Sequence, residues 1–290
     1  MLGFRAPPAV RTKSRCDNRP TVSPPIVWTF EPSVFVGVLA LSIAYVKGWT
    51  RARRPGEPHP PGWGRLALFA TAMLAVLAAL ISPIDALSTD LIVIHMVQHL
   101  LLLDLVPILL ILSLTKGILR PVTRRVTLIE ERAGAFAHPA FAVLLYVGVM
   151  YLWHVPAMYD FALAHGDVHI VEHVCFVVAG SLYWWHLLSP IRSRLRLGGL
   201  GPIVYMTSTK LLVGALGVAL AFLPSAIYPF YEHHSHFWGL TAGEDQSIAG
   251  LVMALEQSIV MGIALVVLFV QMLNESEREQ QRRERYEIVS

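Results

Sequence analysis

Long apolar stretches alternate along this chain with short segments rich in proline, glycine or charge. A helix needs about 20 mostly apolar residues to cross the ~30 Å hydrocarbon layer of a bilayer. Seven stretches meet that requirement, some only when interfacial residues are included, near 33–49, 65–82, 91–114, 138–154, 168–189, 203–222 and 247–273. The pattern predicts an all-α fold, a polytopic membrane bundle of about seven transmembrane helices. Residues 1–32 are rich in Pro, Arg, Thr and Ser, which bury too little surface to offset the entropy of ordering, so they read as a disordered tail. The bundle would occupy 33–273, and the charged stretch 274–290 would continue as a solvated helical tail near anionic headgroups.

At 55% apolar and 15% charged, 290 residues are too greasy for a soluble domain. The net charge of +3 matters less than where Lys and Arg fall. The first connection holds Lys47, Arg51, Arg53, Arg54 and Arg65, and the third holds Lys116, Arg120, Arg124, Arg125 and Arg132. Arg192, Arg194 and Arg196 lie in the fifth, and Arg278, Arg282, Arg283 and Arg285 in the C-terminal tail, while the second, fourth and sixth connections hold none. The positive-inside rule then places the N-terminus outside and the C-terminus in the cytoplasm. Cys16 in the tail and Cys175 in an apolar run suggest neither a disulfide nor a CxxC motif. No catalytic Ser/His/Asp arrangement, phosphate loop or nucleic-acid patch stands out, which argues against hydrolysis and nucleic-acid binding.

The twelve histidines carry the chemistry. On the predicted topology His95, His99, His154, His165, His169, His173, His233, His234 and His236 gather at the outer face, whereas His59, His138 and His186 fall at the inner one. One histidine at a helix end is ordinarily an interfacial or hydrogen-bonded residue. Nine on one side with no basic residue among them point instead to metal binding. His95 and His99 stand four apart, as do His169 and His173, so each pair projects from one helix face. Asp167 is expected to cap the fifth span, leaving His165 in the loop.

At ~1.5 Å per residue, His99 lies ~12 Å and His173 ~9 Å below the start of their spans, and Met253 and Glu256 come at ~9 and ~13 Å in the seventh. These depths predict a shallow pocket between spans three, five and seven. Its leading ligands are His95, His99, His169 and His173, with His154, Met253, Glu256 and Asp245 as further candidates. Imidazole and thioether suit copper, and zinc would accept the same histidines. Glu172 is placed either to ligate or to hold a tautomer. A single haem between two of these histidines is the alternative cofactor, implying a membrane oxidoreductase. Copper transport is a further alternative, although it needs ligands through the whole thickness. A packing scaffold with interfacial histidines is the reading without a ligand.

Asp104 and Lys210 fall at similar depth inside apolar spans and are expected to pair. Pro107 should kink the third span. Gly214, Gly217, Gly250 and Gly262 are expected to allow close helix packing, and Trp153, Trp184, Trp185, Trp238 and Tyr228 to anchor at the interfaces.

The chain also resembles the CtaG family of cytochrome c oxidase assembly factors. The likeness rests on His95-Met-Val-Gln-His99 with Pro107, Trp153-His154-Val-Pro156, His169-Ile-Val-Glu-His173, Tyr228-Pro-Phe-Tyr231, and Asp245-Gln246-Ser-Ile-Ala-Gly250 with Met253. These motifs recur in order across most of 33–273, and the chain departs from the pattern at His186 and Ala254. The resemblance implies a non-enzymatic membrane factor that matures the oxidase at a copper centre, in the bacterial plasma membrane. Its implied partners are oxidase subunits, membrane lipid and a copper chaperone.

Overall fold

The computed structural model describes residues 26–57, 59–191, 195, 197–232 and 237–289. His233, His234 and His236, the basic residues Arg192, Arg194 and Arg196, and positions 1–25 of the expected tail lie outside the described residues. The long helices are α1 (Pro32–Arg51), α2 (Trp63–Ile81), α3 (Ile92–Ser113), α4 (Pro139–Trp153), α5 (Gly166–Leu188), α6 (Gly201–Phe222) and α7 (Ala242–Val289). Six of them are long and apolar enough to cross a bilayer. The 15 residues of α4 cover only ~22 Å. They reach spanning length only together with the preceding Thr123–Ala137 segment, at a bend of 66°. Pro139 explains the break, because proline starts a helix but cannot continue one, and the His138 side chain caps the new start by accepting the Ala140 N–H.

Hydrogen bonds between helix ends fix which ends lie together. The Asp245 carboxylate accepts the N–H groups of Ile92 at 2.6 Å and Val93 at 3.1 Å, capping α3 from the first turn of α7. Tyr231 donates to Ser88 O, Gln246 to Leu220 O, and the Thr29 N–H to Ile81 O. The starts of α1, α3 and α7 and the ends of α2 and α6 therefore share one end of the bundle. At the opposite end Tyr45 donates to the carbonyls of Arg65 and Ser113.

The third span is the central one. Of its most apolar stretch 56% is buried, against 17 to 39% for the other five single-helix spans. Trp184, Tyr146, Tyr183 and Phe176 fill the space around it. Trp153, Trp184 and Tyr228, expected to anchor at the membrane interfaces, are buried. Trp184 and Tyr228 find acceptors inside the protein, at Asp104 and the His154 carbonyl. Helices α6 and α7 meet backbone to backbone at Gly217 and Gly250, as small residues in a membrane interface allow, whereas Gly214 and Gly262 have no neighbour that a Cβ would meet.

One irregularity shapes everything below. Helix α3 widens into a π-helical turn at Leu101–Leu105, just ahead of Pro107. Proline has no N–H, so the carbonyl four residues earlier, at Leu103, loses its helical partner, and the wider turn absorbs the mismatch. That carbonyl faces Gly180 of α5, where any Cβ would overlap it. The turn thus brings α3 and α5 to backbone contact directly below the histidines.

Candidate metal centre

Because Asp245 starts α3 at Ile92, His95 and His99 occupy its first two turns. Helix α5 begins at Gly166, earlier than a cap at Asp167 would allow. Asp167 instead lies in the first turn, where its charge complements the helix dipole, and His165 takes the cap position with Nδ1 2.9 Å from Phe161 O. His169, Glu172 and His173 then share the face turned toward α3.

The four leading histidines converge. Ring centroids lie 4.1 Å apart for His95 and His99, 5.2 Å for His95 and His169, 4.2 Å for His169 and His173, and 5.6 Å for His99 and His173. One ligand atom from each of His95, His99, His169 and Glu172 lies within 4.8 Å of all the others, an arrangement able to hold a metal ion. Glu172 Oε1 is 3.6 Å from His99 Nε2, too far for a hydrogen bond. His95 Nε2, both nitrogens of His99, the Nε2 atoms of His169 and His173, and both oxygens of Glu172 are buried without a hydrogen-bond partner among the described residues. Each unmade bond costs about 1–3 kcal/mol, and folded proteins carry few. A single ion with nitrogen and oxygen ligands would satisfy several of these atoms at once, so the donor set fits a transition metal.

A tyrosine orients His95. Tyr231 gives its only proton to Ser88 O at 2.7 Å and lies 3.3 Å from His95 Nδ1, so Nδ1 must carry the hydrogen that joins them. The lone pair of His95 is thereby left on Nε2, the atom facing the cluster. Tyr159 stacks on Tyr228 at 4.0 Å and on the His95 side at 5.0 Å, closing the end of the bundle over the site. Sideways the site is open. A cleft of about 400 Å³ runs from His169 and His173 past Leu102, Leu80 and Val174, with Glu31 and Asp85 at its polar edge.

The secondary ligand candidates go elsewhere. Asp245 caps α3 with both oxygens. Met253 is packed in the core. His154 sits at the end of α4, beside Met96 rather than in the ion-sized cluster. Glu256 has Asp104 and Gln257 as its electrostatic neighbours, not the histidines. The reason is register: with Asp245 level with Ile92, Glu256 lies ~16 Å down the bundle, close to Asp104 at ~18 Å and well below His99 at ~10 Å. Asp104 also corrects an expectation. Among the described residues it makes no ion pair with Lys210; its oxygens accept from Trp184 Nε1 at 2.7 Å, Tyr146 Oη at 2.8 and 2.9 Å, and Gln257 Nε2 at 3.1 Å.

Sequence spacing underrated Glu172 and Tyr231. Glu172 carried a usable signal, lying three residues after His169 and hence on its face. Tyr231 stood only within a family motif, since nothing local ties a loop tyrosine to a helix 136 residues away.

These features define a class: a multi-pass helical membrane protein with a buried imidazole and carboxylate cluster between two of its spans. The chain belongs to the cytochrome c oxidase caa3 assembly factor family, CtaG, whose sequence profile matches residues 43–275. It is similar to an uncharacterized protein of Mycobacterium leprae, 25% identical over 281 residues that cover 90% of this chain and 41% of the relative. An uncharacterized protein of Mycobacterium bovis is 24% identical over 275 residues with the same coverage. The chain thus spans less than half the length of these relatives. No solved structure matches it.

Proposed function

We propose that this chain binds copper through His95, His99, His169 and Glu172, with His173 beside them, and assists the maturation of a copper centre in cytochrome c oxidase. The observation that carries the reading is the set of buried, converging donors left without hydrogen-bond partners. Imidazole serves both oxidation states of copper. Membership in an oxidase assembly family supplies the client, oxidase subunits, and copper would be cargo passed on by ligand exchange rather than a catalyst. The lateral cleft at His169 and His173 gives an incoming ligand, from a client subunit or a copper chaperone, a way to reach the ion. The family points to the bacterial plasma membrane, and the alternation of Lys and Arg favours an orientation with the histidine end outward, N-terminus outside and C-terminus cytoplasmic.

The other cofactor readings gain no support. Four donor atoms gathered within 4.8 Å suit one ion, whereas a haem would take two of them as axial ligands and leave the other two crowding the porphyrin plane. A transport path would require ligands in the other half of the bundle, where both oxygens of Asp104 already accept from Trp184, Tyr146 and Gln257. The test is a His95→Ala, His99→Ala, His173→Ala triple variant, assayed for Cu(I) binding in detergent and for oxidase activity in a deletion strain. Loss of the Cu(I) bound at the cluster and of oxidase activity is expected. Binding and oxidase activity equal to wild type would refute the proposal.

A further inference from the structure

A second pair of donors faces each other outside the cluster. His154, at the end of α4, is buried, and its Nδ1 lies 2.6 Å from Met150 O. A carbonyl can only accept, so Nδ1 carries the proton. Among the described residues His154 joins no ion pair, and an unpaired charge is not buried, so the ring is neutral and its Nε2 presents a bare lone pair. The atom it meets is Met96 Sδ at 3.4 Å, itself only a lone-pair donor. Two buried lone pairs thus converge with no hydrogen between them. This is unfavourable in a metal-free protein and is relieved by a cation.

We propose that His154 Nε2 and Met96 Sδ form a second metal site, one that takes Cu(I). A thioether beside an imidazole is a soft pair that selects Cu(I) over zinc. With metal–nitrogen bonds of ~2.0 Å and metal–sulfur bonds of ~2.3 Å, atoms 3.4 Å apart subtend roughly 100° at the ion. That angle leaves other coordination positions open, as an exchangeable ion requires. Met96 follows His95 directly on α3, so the pair stands beside the histidine cluster while using none of its atoms. The site extends the copper reading, from which it takes the identity of its cargo, by adding a sulfur-bearing station next to the nitrogen and oxygen one.

The full chain, purified in detergent, is titrated with Cu(I) against a competing chelator and with Zn(II), and its Cu(I) form is examined by X-ray absorption. Wild type should show a sulfur scatterer at ~2.3 Å. Met96→Leu, a volume-conserving change, should lose that signal and one Cu(I) equivalent while keeping its Zn(II) binding. His154→Gln, a second variant in case either packs poorly, should do the same. His95→Ala with His99→Ala should remove the other equivalent and leave the sulfur signal. If only this last variant is without effect, the cluster fails as a copper site and the His154–Met96 site stands. If wild type shows no sulfur scatterer, or the signal persists in both Met96→Leu and His154→Gln, the second site is overturned.

Discussion

Two polar groups of side chains on α3, one in its first two turns and one at the π-helical turn, are both buried and differ in how they are met. Within the turn, both oxygens of Asp104 accept hydrogen bonds, from an indole, a phenol and an amide supplied by α5, α4 and α7. Gln257 Oε1 and Glu256 Oε2 at its edge are the exceptions. Above the turn, His95, His99 and the facing Glu172 are 1 to 2% exposed and present atoms with no donor or acceptor in reach. Burial alone therefore does not mark a site. A carboxylate surrounded by donors is complete in the polypeptide, whereas imidazoles and a carboxylate facing one another present lone pairs that a cation can complete.

The comparison can be broken most forcefully at its lower half. Asp104→Leu removes the acceptor for Trp184, Tyr146 and Gln257 and leaves their N–H and O–H groups buried and unpaired, at a cost on the order of 3 kcal/mol or more. We expect a large drop in resistance to unfolding in mixed micelles, with Cu(I) stoichiometry retained by whatever fraction stays folded. A stable Asp104→Leu protein that no longer binds Cu(I) would place Asp104 in the metal site and erase the contrast.

The upper half should respond in the opposite sense. His99→Leu removes an imidazole with two unpaired nitrogens, so the metal-free protein should lose little stability or gain some. What should disappear is the stabilisation that copper confers at the cluster, about 2.7 kcal/mol when free metal is 100 times that site's Kd. Unfolding curves with and without Cu(I) should therefore lie further apart for wild type than for the variant, which keeps only what the His154–Met96 site confers. A metal-free His99→Leu protein as damaged as Asp104→Leu would mean that the histidines are structural.

The contrast also shows what a sequence can reveal. The spans were legible because apolar runs of bilayer length admit few other readings, and the histidine pairs because a spacing of four puts two side chains on one helix face. The π turn was not, because counting at 3.6 residues per turn assumes no inserted residue, and the place of Asp104 and the closeness of Gly180 depend on that insertion. Glu256 was misplaced because the polar residues 242–246 look like loop. They are helix, with Asp245 spent on the cap of α3 and Gln246 bonded to Leu220 O and Ile227 N. Such cross-bundle bonds set the depth of α7, and no local pattern contains them. Trp184 reads as an interfacial anchor for the same reason, since its partner lies 80 residues away.

The smallest effect lies at the rim of the cleft, where Asp85 accepts from Gln98 at 2.9 Å and Thr29 at 2.8 Å. Burial pushes its carboxyl above the ordinary range, the two hydrogen bonds pull it back, and Glu31 adds a further upward push. An acid whose pKa rises on folding contributes stability that is fully present below its unfolded value and is lost as pH rises through the folded one. The charged form of Asp85 is therefore held less well by the folded chain than by water, despite its two hydrogen bonds. Asp85→Asn keeps an acceptor for Gln98 and removes the titration. We expect the variant to match wild type in acid and to exceed it slightly above the folded pKa of Asp85, with the gain limited by solvent at this partly exposed position. If it is instead less stable than wild type at neutral pH, the hydrogen bonds from Gln98 and Thr29 outweigh burial, the carboxylate is complete in the polypeptide as Asp104 is, and the division between the two ends of the bundle stops short of the cleft.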